Sequence, residues 1–195
     1  KPLIPYKGKS MIEHVTENFK NFGFNHFTIT LNYKSDLMKA FFSSNKQLGK
    51  FKFIFEKKPL GTAGSLLKIK KSKFKNFFVI NCDSILNFNY ESFLNYHLES
   101  QHDITLVVCK KTQTFKYGSC IISQTGKLKK IYEKPKVSLL ANTGLYLVNS
   151  KIINLIKKNE KIDMNSLIER AINYKFKVGV FPIHESEWQD LGTWL

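Results

Sequence analysis

The sequence predicts an α/β fold: a Rossmann-like, three-layer α/β/α arrangement around a mixed, mostly parallel central sheet. Three observations carry this. From Met11 to Glu99, short β-branched and aromatic runs alternate with amphipathic segments, the rhythm of a doubly wound parallel sheet. Phe77-Phe78-Val79-Ile80 runs without polar interruption into Asn81-Cys82-Asp83, as expected of a central parallel strand buried on both faces. From Asp103 onward strands follow one another with little helix between them, so a mixed-sheet half follows the Rossmann-like one.

The elements follow in order. Met11, Ile12, Val15, Phe19 and Phe22 recur at helical spacing, and Gly23 is a natural stop. Phe27 to Leu31 is a β-branched and aromatic strand. Ser35 is placed to cap a second helix through about Phe42, with Leu37, Met38, Phe41 and Phe42 on its buried side. Phe51 to Phe55 is another strand, Pro59 to Gly64 a turn, and Ser65 to Ile69 the beginning of a helix. Phe77 to Ile80 comes next, then a helix from about Tyr90 to Glu99. Strands are expected at Ile104 to Cys109, Gly118 to Ile122, Leu128 to Tyr132 and Thr143 to Val148. Helices return at Lys151 to Lys157 and Met164 to Tyr174, before a last strand at Lys177 to Pro182.

The 195 residues suit one domain, large enough to bury about 70% of the unfolded surface. No internal repeat, linker or low-complexity tract divides it, and no apolar run approaches the ~18 residues that span a bilayer. The chain opens with Lys-Pro-Leu-Ile-Pro, with neither a Met nor the apolar core of a secretory signal, so it is expected to be a piece of a longer chain. A formal net charge of +16 first suggests nucleic acid or an anionic membrane. The lysines, however, are scattered, and Arg170 is the only arginine, whereas specific phosphate and base readers favour the arginine fork. A basic surface that attracts small anionic substrates is the better reading. Cys82, Cys109 and Cys120 are odd in number and lack metal-type spacing, which points to a reducing cytoplasm.

Five stretches carry candidate chemistry. Asp83 lies at the carboxyl end of its strand, where open α/β sheets bind ligands, but it serves equally well as the cap of a following helix. Pro59-Leu60-Gly61-Thr62-Ala63-Gly64 offers glycines and small side chains that let backbone N–H groups approach a ligand, or simply a tight turn. Glu133-Lys134-Pro135 pairs a carboxylate with an ammonium, which on its own is a charged turn. Asn142-Thr143-Gly144-Leu145-Tyr146 is a polar pair entering a strand, and Trp188-Gln189-Asp190-Leu191-Gly192-Thr193 supplies a second aspartate near the end. The histidines, His14, His26, His97, His102 and His184, form no pair with metal-ligand spacing on one helix.

Taken in order, these stretches, together with Lys1-Pro2-Leu3-Ile4-Pro5, Gly8-Lys9-Ser10-Met11-Ile12 and Tyr117-Gly118, resemble the sugar-1-phosphate nucleotidylyltransferases from end to end. The likeness is nearest to the glucosamine- or mannose-1-phosphate guanylyltransferase-like branch, and within it to transferase domains that follow paired CBS regulatory domains in nonulosonate pathways. The resemblance implies a nucleotide-diphospho-sugar transferase fold and a cytoplasmic enzyme. A phosphate oxygen of the sugar-1-phosphate attacks the α-phosphorus of a nucleoside triphosphate, GTP by branch, and pyrophosphate leaves. Such a reaction asks for charge neutralisation and in-line positioning, with no protein nucleophile.

By the same resemblance, Asp83 and Asp190 hold Mg²⁺, Lys134 the sugar phosphate and Glu133 the sugar hydroxyls. Gly118, Asn142 and Thr143 line the sugar pocket. Leu60, Gly61 and Thr62, with Glu56, contact the base, and Lys1 touches the triphosphate. Partners are then GTP and a sugar-1-phosphate, with no nucleic acid or membrane; homo-oligomers and N-terminal CBS domains are compatible. Three departures stand out. The family's glycine-rich G-x-G-T-R loop and first strand belong just upstream of Lys1, so residues 1–195 read as a single domain truncated at its N-terminus, and at its C-terminus just after Thr193. Cys82 replaces a glycine and is expected to crowd the nucleotide. The alternatives are a non-catalytic sugar-nucleotide-binding or regulatory homologue of the same fold and, from charge alone, a basic nucleic-acid-binding module.

Overall fold

The computed structural model describes residues 1–69 and 74–192. The chain opens with a short antiparallel pair, β1 (Pro5–Tyr6) and β2 (Lys9–Ser10), which leads directly into α1 (Met11–Asn21). Glu13 reaches back to the Ser10 N–H (2.7 Å), so the first turn of α1 is closed by a capping box. Then come β3 (His26–Leu31), α2 (Ser35–Ser44) and β4 (Lys50–Phe55). The helical turn α3 (Gly61–Gly64) runs into a 3-10 segment, Ser65–Ile69. β5 (Asn76–Ile80), β6 (Ser84–Leu86) and α4 (Tyr90–Glu99) follow. The strand-rich half is β7 (Ile104–Thr114), β8 (Ser119–Ile122), β9 (Leu128–Tyr132) and β10 (Lys136–Asn149). A 3-10 segment (Ser150–Leu155), α5 (Met164–Asn173), β11 (Val178–Ile183) and β12 (Trp188–Asp190) complete it.

The main sheet has the order β11-β7-β10-β5. Both of its faces are covered because its side chains alternate. Phe77 and Val79 point with Tyr146 and Val148 into a core against α5, where Leu167 and Ala171 are fully buried. Phe78, Ile80, Leu145 and Leu147 point the other way, into an aromatic core with Phe19 of α1 and Phe93 of α4. A third cluster joins α1 and α2 through Ile12, Leu31, Met38, Phe42 and Leu48. The three-layer α/β/α arrangement is therefore present around this sheet.

The expected mostly parallel central sheet is not. β11 pairs with β7 in parallel, but β7–β10 and β10–β5 are antiparallel. The reason is topological: β7 returns to β10 through the β8–β9 arm and not through a crossover helix, and such a return is antiparallel. β3 and β4 form a separate parallel pair. β5, expected at the centre of the sheet, hydrogen-bonds to β10 alone, and each of its residues is only half-buried. Phe19 bridges the two sheets, with ring centroids 6.4 Å from Phe27 of β3 and 5.3 Å from Phe78 of β5. Smaller differences have local causes. The segment expected as a helix from Lys151 is a 3-10 turn, and Leu37 lies on the exposed side of α2.

Candidate active site

At the carboxyl end of β5 the chain turns through Asn81, Cys82 and Asp83 into β6, which pairs antiparallel with β12. This pairing sets Asp190 opposite Ser84, next to Asp83. The Leu191 N–H donates to the Asp83 carbonyl (2.9 Å), and the Gly192 N–H donates to Asp190 Oδ1 (2.9 Å). A Cβ on Gly192 would sit 3.0 Å from Asp83 Oδ2 and 3.1 Å from Asp190 Oδ1. The two carboxylates thus converge on one point from strands far apart in sequence. Lys1 Nζ stands 3.9 Å from Asp83 Oδ2, a solvated ion pair worth at most about 1 kcal/mol.

Both aspartates line a cavity of about 380 Å³. Its floor is a bulge in β10: Asn142 pairs with Val108 and Tyr146 with Leu106, so residues 143–145 are lifted out of register. Gly144 adopts φ +80°, and a side chain there would meet the Asn81 amide at 2.6 Å. Thr143 lines the cavity, but its hydroxyl is committed to the core, donating to the Val107 carbonyl (2.9 Å). Asn142 donates to the Tyr146 hydroxyl oxygen (2.8 Å) and to Asn165 Oδ1 (3.3 Å). Burial, partly offset by the Asn142 bond, raises the Tyr146 phenol pKa.

The Pro59–Gly64 loop forms another wall through Thr62. Its glycines let the backbone of residues 160–162 approach closely. A Cβ on Gly61 (φ +78°) would lie 2.4 Å from the Ile162 carbonyl oxygen, and one on Gly64 2.6 Å from that of Glu160. The Ala63 and Gly64 N–H groups both donate to Ile162 O (3.1 Å each), and Ile162 N–H donates to Leu60 O (2.9 Å). Thr62 Oγ1 accepts from the Met164 N–H (2.9 Å), satisfying a first-turn donor of α5. Glu56 accepts from the Leu60 N–H (3.2 Å) and so braces the loop from its other side. Arg170 fastens the far end of the 160s segment, binding the Leu155 carbonyl and the Glu160 carboxylate, whose pKa it pulls down to about 2.

Of the residues expected at the site, Asp83, Asp190, Thr62, Asn142 and Thr143 line this cavity. Leu60, Gly61 and Glu56 stand behind its wall, and Lys1 beside its carboxylate end. Glu133, Lys134 and Gly118 cluster elsewhere. The Glu133 carboxylate packs 3.2 Å from where a Gly118 Cβ would be, and all three are exposed at the base of the β8–β9 arm, outside the cavity lining. Lys134 is held at φ +45°, a conformation uncommon without glycine. Cys82 packs against the cluster of Ile12, Leu31 and Met38, where burial first and the Asp83 charge second raise its thiol pKa. Thr193 lies outside the described residues. The cavity adds Asn81, Ser84, Tyr146, Asp163, Met164, Asn165 and Trp188, to which sequence reasoning gave no role. Of these, Asn81, Tyr146 and Trp188 stood within motifs that could have drawn attention to them. Among the described residues, no group of three His, Cys, Asp or Glu could hold a metal alone.

A family model described as nucleotidyl transferase matches residues 1–195. The chain belongs to the nucleotidyl transferase family. Mannose-1-phosphate guanyltransferase beta-A of Xenopus laevis is 32% identical to it over 204 residues, covering 98% of this chain and 55% of that protein. Mannose-1-phosphate guanylyltransferase catalytic subunit beta of Xenopus tropicalis is 32% identical over 165 residues, 80% of this chain and 46% of that protein. The chain spans about half the length of these curated relatives. Among solved structures, HddC from Yersinia pseudotuberculosis superposes with a TM-score of 0.74 at 23% identity, covering 98% of this chain and 84% of that one. HddC has also been solved complexed with GMP-PN. At that identity the likeness establishes the α/β fold of the family and nothing finer.

Proposed function

We propose that this protein transfers a nucleotidyl group from a nucleoside triphosphate, GTP in preference, to a sugar-1-phosphate, releasing pyrophosphate, in the cytoplasmic synthesis of a nucleotide sugar for surface glycans or nonulosonates. The observation that carries the reading is the convergence of Asp83 and Asp190 at one end of a cavity whose other end combines amides and hydroxyls with the single carboxylate of Asp163. Guanylyltransferase relatives and the GMP-PN complex of HddC support guanine. The donor set fits Mg²⁺, which takes one or two carboxylates and completes its shell with phosphate and water. Bound there, it would supply charge neutralisation to the phosphates.

The chain's own residues then position and exclude. Asp83 and Asp190 fix the charged end, and the β10 bulge at Gly144 lets Asn81 close over the floor. Asn142, Tyr146, Thr62 and Asp163 bound the other end. Lys134 and Glu133 keep their proposed roles toward the sugar phosphate and sugar hydroxyls only if the arm carrying them closes on the cavity. The full protein is proposed to continue upstream with the glycine-rich loop and a further strand. The edges of β3 and β5, each paired on one side among the described residues and bridged by Phe19, support this.

The test is pyrophosphate release by the full-length protein from GTP and α-D-mannose 1-phosphate with Mg²⁺. Turnover is expected, and no release with any nucleotide and hexose-1-phosphate pair would overturn the reading. The position of Lys134 outside the cavity favours, as second reading, a sugar-nucleotide sensor of the same fold. Such a protein binds a nucleotide sugar tightly and releases no pyrophosphate.

A further inference from the structure

The end of the cavity away from Asp83 and Asp190 has a fixed hydrogen-bond polarity, set by a relay through Gly144, Asn142, Tyr146 and Asn165. The Gly144 N–H donates to Asn142 Oδ1 (3.0 Å), which fixes the rotation of the Asn142 amide, because only its oxygen accepts. Asn142 Nδ2 must then face Tyr146 and Asn165, and it donates to the Tyr146 oxygen at 2.8 Å and to Asn165 Oδ1 at 3.3 Å. With its oxygen turned toward Asn142, Asn165 turns its own NH₂ the other way, and it lines the cavity. Tyr146, its oxygen already accepting, has its hydroxyl proton to give. Thr62 is in the same position, since its oxygen accepts from the Met164 N–H (2.9 Å). Three cavity-lining groups thus offer donors; among the described residues no lysine or arginine lines the cavity, and the Asp163 carboxylate near Tyr146 further disfavours a phosphate at that end.

We propose that Asn165 is a specificity-determining residue that donates to an oxygen of the sugar, a hydroxyl or an acyl carbonyl, with Asn142 as its positioning residue. The assignment rests on the sugar-1-phosphate reading above. The end with Asp83 and Asp190 suits metal and phosphates, so the donors of the other wall fall to the uncharged part of the substrate. Sugar, rather than base, is assigned to this wall because it sets hydrogen-bond donors beside the Asp163 carboxylate, a mixture that matches sugar hydroxyls and repels phosphate.

Asn165→Ala and Asn165→Asp are to be compared with the unmutated full-length protein, using α-D-mannose 1-phosphate and its 2-, 3-, 4- and 6-deoxy analogues. Loss of one hydrogen bond to a neutral group is expected to raise KM for the sugar phosphate about tenfold in Asn165→Ala. Asn165→Asp, which replaces the donor by an acceptor, raises it further. KM for GTP stays within about twofold, and the unfolding temperature stays within about 3 °C, as for a surface substitution. One deoxy analogue is poor for the unmutated protein and loses that disadvantage in Asn165→Ala, an outcome a merely structural role would not give. Turnover indifferent to both substitutions, or a change confined to KM for GTP, overturns the assignment and leaves the proposed reaction standing. Absence of turnover in the unmutated protein overturns both.

Discussion

Asp83 and Asp190, far apart in sequence, flank the α-carbon of Gly192: a methyl group there would lie 3.0 Å from one carboxylate and 3.1 Å from the other. Only the pairing of β6 with β12 makes this possible. The glycine keeps open the space between two like charges, the place where the proposed reaction would seat a shared cation.

Gly192→Ala is therefore expected to abolish turnover, or to lower it by at least about 100-fold, without unfolding the protein. Asp83→Asn and Asp190→Asn should do the same, by removing charge instead of space. The check is pyrophosphate release across a Mg²⁺ titration, beside a thermal melt. Full activity in Gly192→Ala would show that the space between the carboxylates is unused.

Gly61 is constrained by its own chain. A Cβ at φ +78° would strike the Ile162 carbonyl at 2.4 Å, and two loop N–H groups depend on that carbonyl. Gly61→Ala should lower stability by about 1–3 kcal/mol, combining left-handed strain with displacement of the 160s segment. Chemical denaturation measures this directly. An unchanged midpoint would mean that the glycine is there for a ligand, as the sequence first suggested.

The sequence disclosed the strand-helix rhythm and the two aspartates because those signals are local: apolar runs, caps and a carboxylate at a strand end. It did not disclose β6 and β12, short strands that exist only by pairing with each other. The second half of β7 and the first half of β10 were hidden for a related reason. Residues 110–114 and 136–141 are largely exposed, so no face of theirs needs an apolar period. At the site, Asn142 was found by motif, whereas Asn165 and Tyr146 matter through a hydrogen-bond relay that spans the β10 bulge and the start of α5. No spacing rule announces such a relay. The resemblance also carried Lys134 to the site, yet the arm stands clear of the cavity.

His97 is fully buried on α4. Its Nδ1 bonds Thr105 Oγ1 at 2.7 Å, and its Nε2 has no partner. Burial, then the nearby His102, lowers its pKa to about 4, while Asp103 opposes them. In the unfolded chain it titrates near 6.5. The unfolded state therefore takes up a proton that the folded state refuses, so stability is full above about pH 7 and falls as pH drops from about 6.5 toward 4. The loss should reach on the order of 2–3 kcal/mol. Denaturation midpoints for the unmutated protein and His97→Gln between pH 7.5 and 4.5 test this. If both curves fall equally, His97 is not the source.

Thr62 was read from the sequence as a base contact, but in the structure its oxygen takes the Met164 N–H at the start of α5. These roles separate by substitution. Thr62→Val keeps shape and loses the acceptor, whereas Thr62→Ser keeps the acceptor and loses a methyl. A first-turn N–H left without its partner costs about 1 kcal/mol, which for a domain of this size lowers the unfolding temperature by about 2–4 °C. Thr62→Val should show that drop, and Thr62→Ser should show little of it. Because the loop and the helix start move together once the bond is gone, Thr62→Val should also weaken substrate binding, and Thr62→Ser should not. An unchanged melting temperature in Thr62→Val with a raised KM for GTP would restore the sequence reading: the hydroxyl would then serve the ligand, and the bond to Met164 would be incidental.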